Sequence, residues 1–175
     1  MSDNRRKEIL KKIKDSFPSP ITASSLAEIF GVSRQIIVGD IAILRAAGEE
    51  IVSTPRGYKH GEEAIKRYPY EGIIACRHFN DRLQDELYTV VDFGGVVINT
   101  SVEHPVYGQL SGILDIKSRY EADLFVNSVN EHESLPLSSM TDGVHIHRIG
   151  TADKESFELI KKSLLNQGIL LPESP

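Results

Sequence analysis

The apolar positions follow two rhythms, a helical one in the first third of the chain and a strand-like one interleaved with helices beyond it. Residues 5–16 place Ile9, Leu10 and Ile13 at helical spacing among Arg5, Arg6, Lys7, Lys11, Lys12 and Lys14. Pro18 and Pro20 stop that helix, because proline lacks an amide hydrogen and crowds the preceding turn. Thr22 is placed to cap a second helix carrying Leu26, Ile29 and Phe30, and Gly31 to end it in a left-handed turn. Ser33 then caps a third helix through Ile37, Ile41 and Leu44 to Gly48. Residues 51–54, the tip Pro55-Arg56-Gly57 and Tyr58-Lys59 read as a β-hairpin.

After a polar stretch ending in Pro69, the pattern predicts a buried strand over 73–77 and a helix over about 82–92, broken by Gly94-Gly95. Strands follow at 96–102 and 110–116, joined by the turn His104 to Gly108. A helix over about 118–131 carries Ala122, Phe125, Val126 and Val129. Next come a strand holding His145-Ile146-His147, a helix over about 153–167 and a short strand at 169–171. The order β-α-β-β-α-β, then α-β, predicts an α+β chain: a winged helix-turn-helix, then a ferredoxin-like α/β sandwich with helices on one sheet face. The expected division is 1–60 for the first domain, 61–70 for a linker and 71–175 for the second.

Composition changes little in this picture and charge changes more. With 175 residues, 40 % hydrophobic and 26 % charged, the chain suits one or two small soluble domains. No run is long enough for a membrane span, and the first residues lack the apolar segment of a signal peptide. The single cysteine, Cys76, excludes an internal disulfide framework and fits a cytoplasmic protein. Residues 1–68 hold 12 Lys and Arg against 9 Asp and Glu, whereas the remainder holds 8 against 16. Only the front of the molecule is therefore suited to a polyanion.

Two short helices joined by a tight glycine turn form a helix-turn-helix, and the hairpin after the third helix supplies a wing. Ser33, Arg34, Gln35, Val38 and Arg45 lie on the third helix or at its start, with Arg34 and Gln35 in the first turn that reaches base edges. Arginine matches guanine and glutamine matches adenine in the major groove. Arg56 and Lys59 on the wing, with Lys11 and Lys12, suit phosphate contacts. The plainer readings of this unit are a three-helix packing module and a protein-binding module.

The body carries the second constellation. His145 and His147, two apart on a strand, share one face. His78 stands at the end of the first predicted strand of the body, and Glu86 follows eight residues later on the next helix. Three imidazoles and a carboxylate suit a first-row divalent cation, and ligand type does not choose among zinc, nickel, iron and manganese. Singly, each of these residues is more often structural. Cys76 shares strand parity with His78, which brings it near the site, though a buried, unreactive thiol is the plainer reading. His60 and His132 show no partners in the pattern.

With these residues assembled, the chain resembles the niacin-responsive transcriptional repressors (NiaR type), which join an N-terminal winged helix to a three-histidine (3H) domain. The resemblance runs through residues 32–41, 54–58, Glu103-His104-Pro105-Val106-Tyr107-Gly108 and Asp142-Gly143-Val144-His145-Ile146-His147. It implies a DNA-binding repressor of NAD-synthesis and niacin-uptake genes with nicotinic acid as co-repressor. It also implies one divalent transition metal per chain, nickel or zinc, on His78, Glu86, His145 and His147. A homodimer on a palindromic operator follows by the same resemblance. His104 and Tyr107 are the expected effector contacts. One departure is Gly39, where the family pattern leads one to expect a longer polar residue. The competing readings are a metal-sensing repressor and a small metal-dependent hydrolase. The second lacks a His-Glu-x-x-His, a Gly-x-Ser-x-Gly and a phosphate-binding glycine loop, so no catalysis is expected.

Overall fold

A computed structural model describes residues 2–61, 68–131 and 135–172 of the chain. Two compact units divide between Ile65 and Lys66. The expected linker lies largely in 62–67, and His132 lies in 132–134; both fall outside the described residues.

The first unit contains α1 (Ser2–Asp15), α2 (Ala23–Phe30), α3 (Arg34–Ala46), β1 (Ile51–Thr54) and β2 (Gly57–His60). The Thr22 hydroxyl accepts from the Ser25 amide and the Ser33 hydroxyl from the Ile36 amide, so both helices begin as their caps predict. Gly31 closes α2 at φ 62°, a conformation that costs glycine nothing. Ile9, Ile13, Leu26, Ala27, Ile37, Ile41, Leu44 and Ile51 form one buried cluster. Each large side chain among them is worth about 1.5–3 kcal/mol on burial. Ile29 of α2 is exposed, while Phe30 packs against this cluster. The wing's β1 and β2 are antiparallel, and Ile21 adds a bridge to Tyr58. Asp40, buried on α3, accepts from Arg5 of α1 at 2.6 Å and lies 3.5 Å from Arg6, which ties the two helices together.

Gly39 sits mid-α3 with nothing within 4 Å of where a Cβ would stand. Gly39→Ala is therefore expected to stabilise the first unit by about 1 kcal/mol, because alanine restricts the unfolded chain and favours helix. Thermal unfolding followed by circular dichroism should show a rise, and a fall would mean that α3 depends on the glycine.

The second unit contains β3 (Tyr70–Arg77), α4 (Leu83–Asp92), β4 (Val96–His104), β5 (Gly108–Ile116), α5 (Arg119–Glu131), β6 (Val144–Thr151) and α6 (Lys154–Asn166). Short 3-10 turns at Asn80–Arg82 and Leu137–Thr141 precede α4 and β6. The antiparallel sheet runs β3-β6-β4-β5. Each helical crossover, α4 and α5, joins two parallel strands with one antiparallel strand between them, as the split β-α-β order predicts. A ferredoxin-like sheet has its first and third strands at the centre. Here the last and second, β6 and β4, are central, because both crossovers step over exactly those neighbours. The predicted strand at 169–171 is reduced to one bridge, Leu170 to Cys76 on the β3 edge.

Leu83, Leu87 and Val90 of α4, Ala122 of α5 and Phe157, Ile160 and Leu164 of α6 pack with Ile74, Cys76, Val97, Leu114, Ile116 and Ile149 of the sheet. In this pairing Ile74 lies opposite His147 and Cys76 opposite His145. Both histidines therefore share the helix-covered face with the core.

Candidate metal centre and nucleic-acid interface

The metal candidates converge on one carboxylate. His78 follows β3, Glu86 lies in the first turn of α4, and His145 and His147 alternate on β6 with Ile146 turned to the other face. Glu86 is fully buried, and the three imidazoles are almost so. From the Glu86 oxygens, His78 Nε2 lies 2.7 Å away, His145 Nε2 3.2 Å and His147 Nε2 3.3 Å.

The opposite ring nitrogens are each held by the backbone. His78 Nδ1 lies 2.8 Å from the Phe79 carbonyl, His145 Nδ1 2.8 Å from that of Gly143, and His147 Nδ1 2.8 Å from that of Asn99. A carbonyl oxygen only accepts, so Nδ1–H donates in all three rings. In the neutral form every Nε2 lone pair then points inward, and outer partners of this kind orient metal-binding histidines. His147 Nε2 is buried with no hydrogen-bond partner. Lone pairs aimed at a carboxylate need a positive species between them, either a proton or a metal ion. The donor set fits a divalent first-row ion, with neutral imidazole and carboxylate as ligands.

Two of the backbone supports have identifiable causes. A β-bulge between Val97 and Asn99 interrupts the β4–β6 ladder; there the Asn99 carbonyl serves His147, and its side-chain oxygen accepts from the Arg148 amide at 3.1 Å. The Asp142-Gly143 turn enters β6 through two left-handed residues, at φ 52° and 83°. The Gly143 carbonyl also accepts from the His78 amide at 3.3 Å, so one oxygen serves two candidate ligands. A Cβ on Gly143 would stand 2.7 Å from the His78 carbonyl oxygen. Gly143→Ala should thus cost more than about 1 kcal/mol of stability and separate His78 from β6. Metal titration of the variant should show weakened binding, and unaltered binding with unaltered melting would contradict this reading.

Electrostatics lock the cluster. Burial alone would lift the Glu86 pKa, yet the charge of His147 and the hydrogen bonds of His145 and His78 hold it well below the usual carboxylate range. Burial works to lower His78, but the Glu86 hydrogen bond and charge, with the Phe79 carbonyl, outweigh it and raise the imidazole. His147 is raised likewise against its burial, chiefly by the Glu86 charge. Burial, and then the Glu86 charge, push the Cys76 thiol far up. Cys76 stands close to this group: its Sγ, a Glu86 oxygen and a His145 nitrogen lie within 4.8 Å of one another.

His104 and Tyr107 sit at the β4–β5 turn. His104 Nδ1 accepts from the Val106 and Tyr107 amides at 3.2 and 3.3 Å, and the two rings lie 5.0 Å apart. Among the described residues no hydrogen bond joins them to the imidazole cluster. His60 lies 3.8 Å from Glu49.

In the first unit Arg34, Gln35 and Val38 are exposed on α3, and Lys11 and Lys12 on α1. Ser33 is spent on the cap. Arg45 is not free: its Nε donates to the Ile51 carbonyl at 2.8 Å and its guanidinium to Ser53 at 2.7 Å, which braces α3 against the wing. Arg56 is half-buried and Lys59 buried, and both are engaged within the fold. The sequence pattern does not separate these bracing cations from free ones. Nor does it reveal the Asn99 and Gly143 carbonyls, which belong to the backbone.

Residues 5–59 match the model of an HTH domain family and residues 71–173 that of the 3H domain family. The chain is 39 % identical over 173 residues to the probable transcription repressor NiaR of Thermotoga maritima, covering 96 % of each chain. It is 37 % identical over 174 residues to the transcription repressor NadR of Bacillus subtilis, covering 99 % of this chain and 96 % of that one. Among the described residues, no helix is long and apolar enough to cross a membrane.

Proposed function

Because the chain belongs to the NiaR/NadR family of transcription repressors, with an HTH domain for DNA and a 3H domain behind it, we propose that it represses NAD-synthesis and niacin-uptake genes with nicotinic acid as co-repressor. It acts as a homodimer on a palindromic operator and senses the co-repressor through one divalent ion, nickel or zinc, in the 3H domain. The observation that carries this reading is the convergence of His78, His145 and His147 Nε2 on the Glu86 carboxylate, within a chain that also carries a DNA reader.

Four protein ligands leave a divalent ion one or two positions, and the nicotinate carboxylate or ring nitrogen is suited to fill one. An effector that prefers one dimer arrangement shifts the spacing of the two recognition helices, through differential affinity for the two states. His104 and Tyr107 remain the proposed contacts for the rest of the effector.

The test is calorimetric titration of nicotinic acid into metal-loaded and chelated protein, repeated on a His145→Ala, His147→Ala double variant. Saturable binding is expected only in the metal-loaded wild type. Equal binding in every sample would make the ion structural and move the effector site elsewhere. Burial of the whole ligand set favours one second reading, in which the ion itself is the signal. That reading is supported if nicotinate binds nowhere and operator affinity follows metal concentration.

A further inference from the structure

We propose that Cys76 supplies a fifth ligand, a thiolate, to the ion held by His78, Glu86, His145 and His147. The inference rests on the metal reading above and extends it to a residue outside the three-histidine set.

Cys76 is fully buried on β3 and lies directly opposite His145 across the β3–β6 ladder, so both side chains leave the sheet on the same face. Its Sγ, a Glu86 oxygen and a His145 nitrogen lie within 4.8 Å of one another. An ion takes sulfur at about 2.3 Å and nitrogen at about 2.0–2.1 Å, so donors across it stand up to about 4.4 Å apart. The cluster is within a few tenths of an ångström of that span. A second, independent observation points into the same space: His147 Nε2 is buried, aimed at Glu86 and without a hydrogen-bond partner. The one thiol of the chain thus stands beside the Glu86 oxygen and the His145 nitrogen of that site.

When the ion enters, the Sγ–H bond breaks, the Sγ–metal bond forms and the proton leaves to solvent. The site then has two anionic ligands against a dication. Thiolate favours thiophilic ions such as zinc and cobalt(II) over manganese, which carboxylate and water suit better. Five protein ligands leave a six-coordinate ion a single position, so at most one donor atom of an incoming molecule can reach the metal.

The test uses the full chain, stripped of metal and loaded with one equivalent of cobalt(II). Weak visible d–d bands are expected together with an intense sulfur-to-cobalt charge-transfer band in the near ultraviolet. Cys76→Ser should lose the second and keep the first. Its preference for zinc over manganese should also fall by roughly tenfold or more, whereas loss of a merely supporting side chain would weaken both ions alike. Wild-type d–d bands without the charge-transfer band would overturn the thiolate while leaving the four-ligand site intact. No cobalt spectrum at all would overturn both. The wild-type spectrum decides even if Cys76→Ser does not fold.

Discussion

Glu86→Ala is expected to abolish tight divalent-metal binding and with it every metal-dependent gain in melting temperature. Glu86 is the acidic group on which all three imidazole nitrogens converge, and it is fully buried. A metal present at about 100 times its Kd stabilises a folded protein by about 2.7 kcal/mol. That increment should vanish in the variant. The metal-free protein should suffer too, because removing one partner of a buried charged group costs about 3–5 kcal/mol. Glu86→Gln keeps the volume and is the variant to use if Glu86→Ala does not fold. Scanning fluorimetry with and without zinc or nickel reads the result, and a full metal response in Glu86→Gln would remove the carboxylate from the site.

The same cluster gives opposite pH dependences to the two forms of the wild type. His78 and His147 are raised above 6.5 in the metal-free fold. Their contribution to stability is therefore complete below 6.5 and is lost as pH rises through the raised values. Glu86 is depressed below 4.5, so its contribution is present above that value and is lost as pH falls through the depressed one. The cluster supports the metal-free protein best between those limits. A metal ion competes with the protons, because each imidazole must be neutral to bind it. The melting-temperature gain on adding metal should thus grow from about pH 6 to pH 8. A gain that shrinks over that range would mean that the ion binds elsewhere.

Arg34→Ala with Gln35→Ala should carry the other large effect, on DNA. Both residues are exposed in the first turn of α3, at the end of a recognition helix that meets base edges. Each lost base contact costs about 1–3 kcal/mol, or roughly 5- to 150-fold in affinity, and relaxes sequence preference. Fluorescence anisotropy on a DNA fragment selected by the wild type measures this. Lys11→Ala and Lys12→Ala should instead weaken binding to all sequences and reduce the salt slope by about one each. Wild-type sequence preference in the Arg34→Ala, Gln35→Ala variant would place recognition elsewhere. Arg45 also braces the fold. Its guanidinium is committed to Ile51 and Ser53, so its loss should loosen the wing.

What the sequence makes legible here is local chemistry. Thr22, Gly31 and Ser33 announce helix ends because capping involves residues three or four apart. His145 and His147 share a face because strand side chains alternate. The spacing of His78 and Glu86 brings both near one point because a strand end and the following helix are neighbours. What is not legible depends on distant backbone. The β3-β6-β4-β5 order, the bulge that gives Asn99 its role and the Gly143 carbonyl shared by His78 and His145 follow from long-range pairing. Burial of Lys59, engagement of Arg45 and exposure of Ile29 are likewise decided by what lies opposite each residue.

The central position of β6 has a consequence for how the second unit is made. β4 and β5 are a hairpin and can pair as soon as they leave the ribosome, since only a short turn separates them. β3 pairs with neither β4 nor β5; its partner is β6, which is synthesised last of the four. The sheet therefore remains in two parts until residue 151 has emerged, and closing so long a loop is slow compared with forming a hairpin. During that interval His78 and Glu86 are present without His145 and His147. An ion held by all four residues would then be acquired late in biogenesis, and a nascent chain arrested before β6 should hold no tightly bound ion.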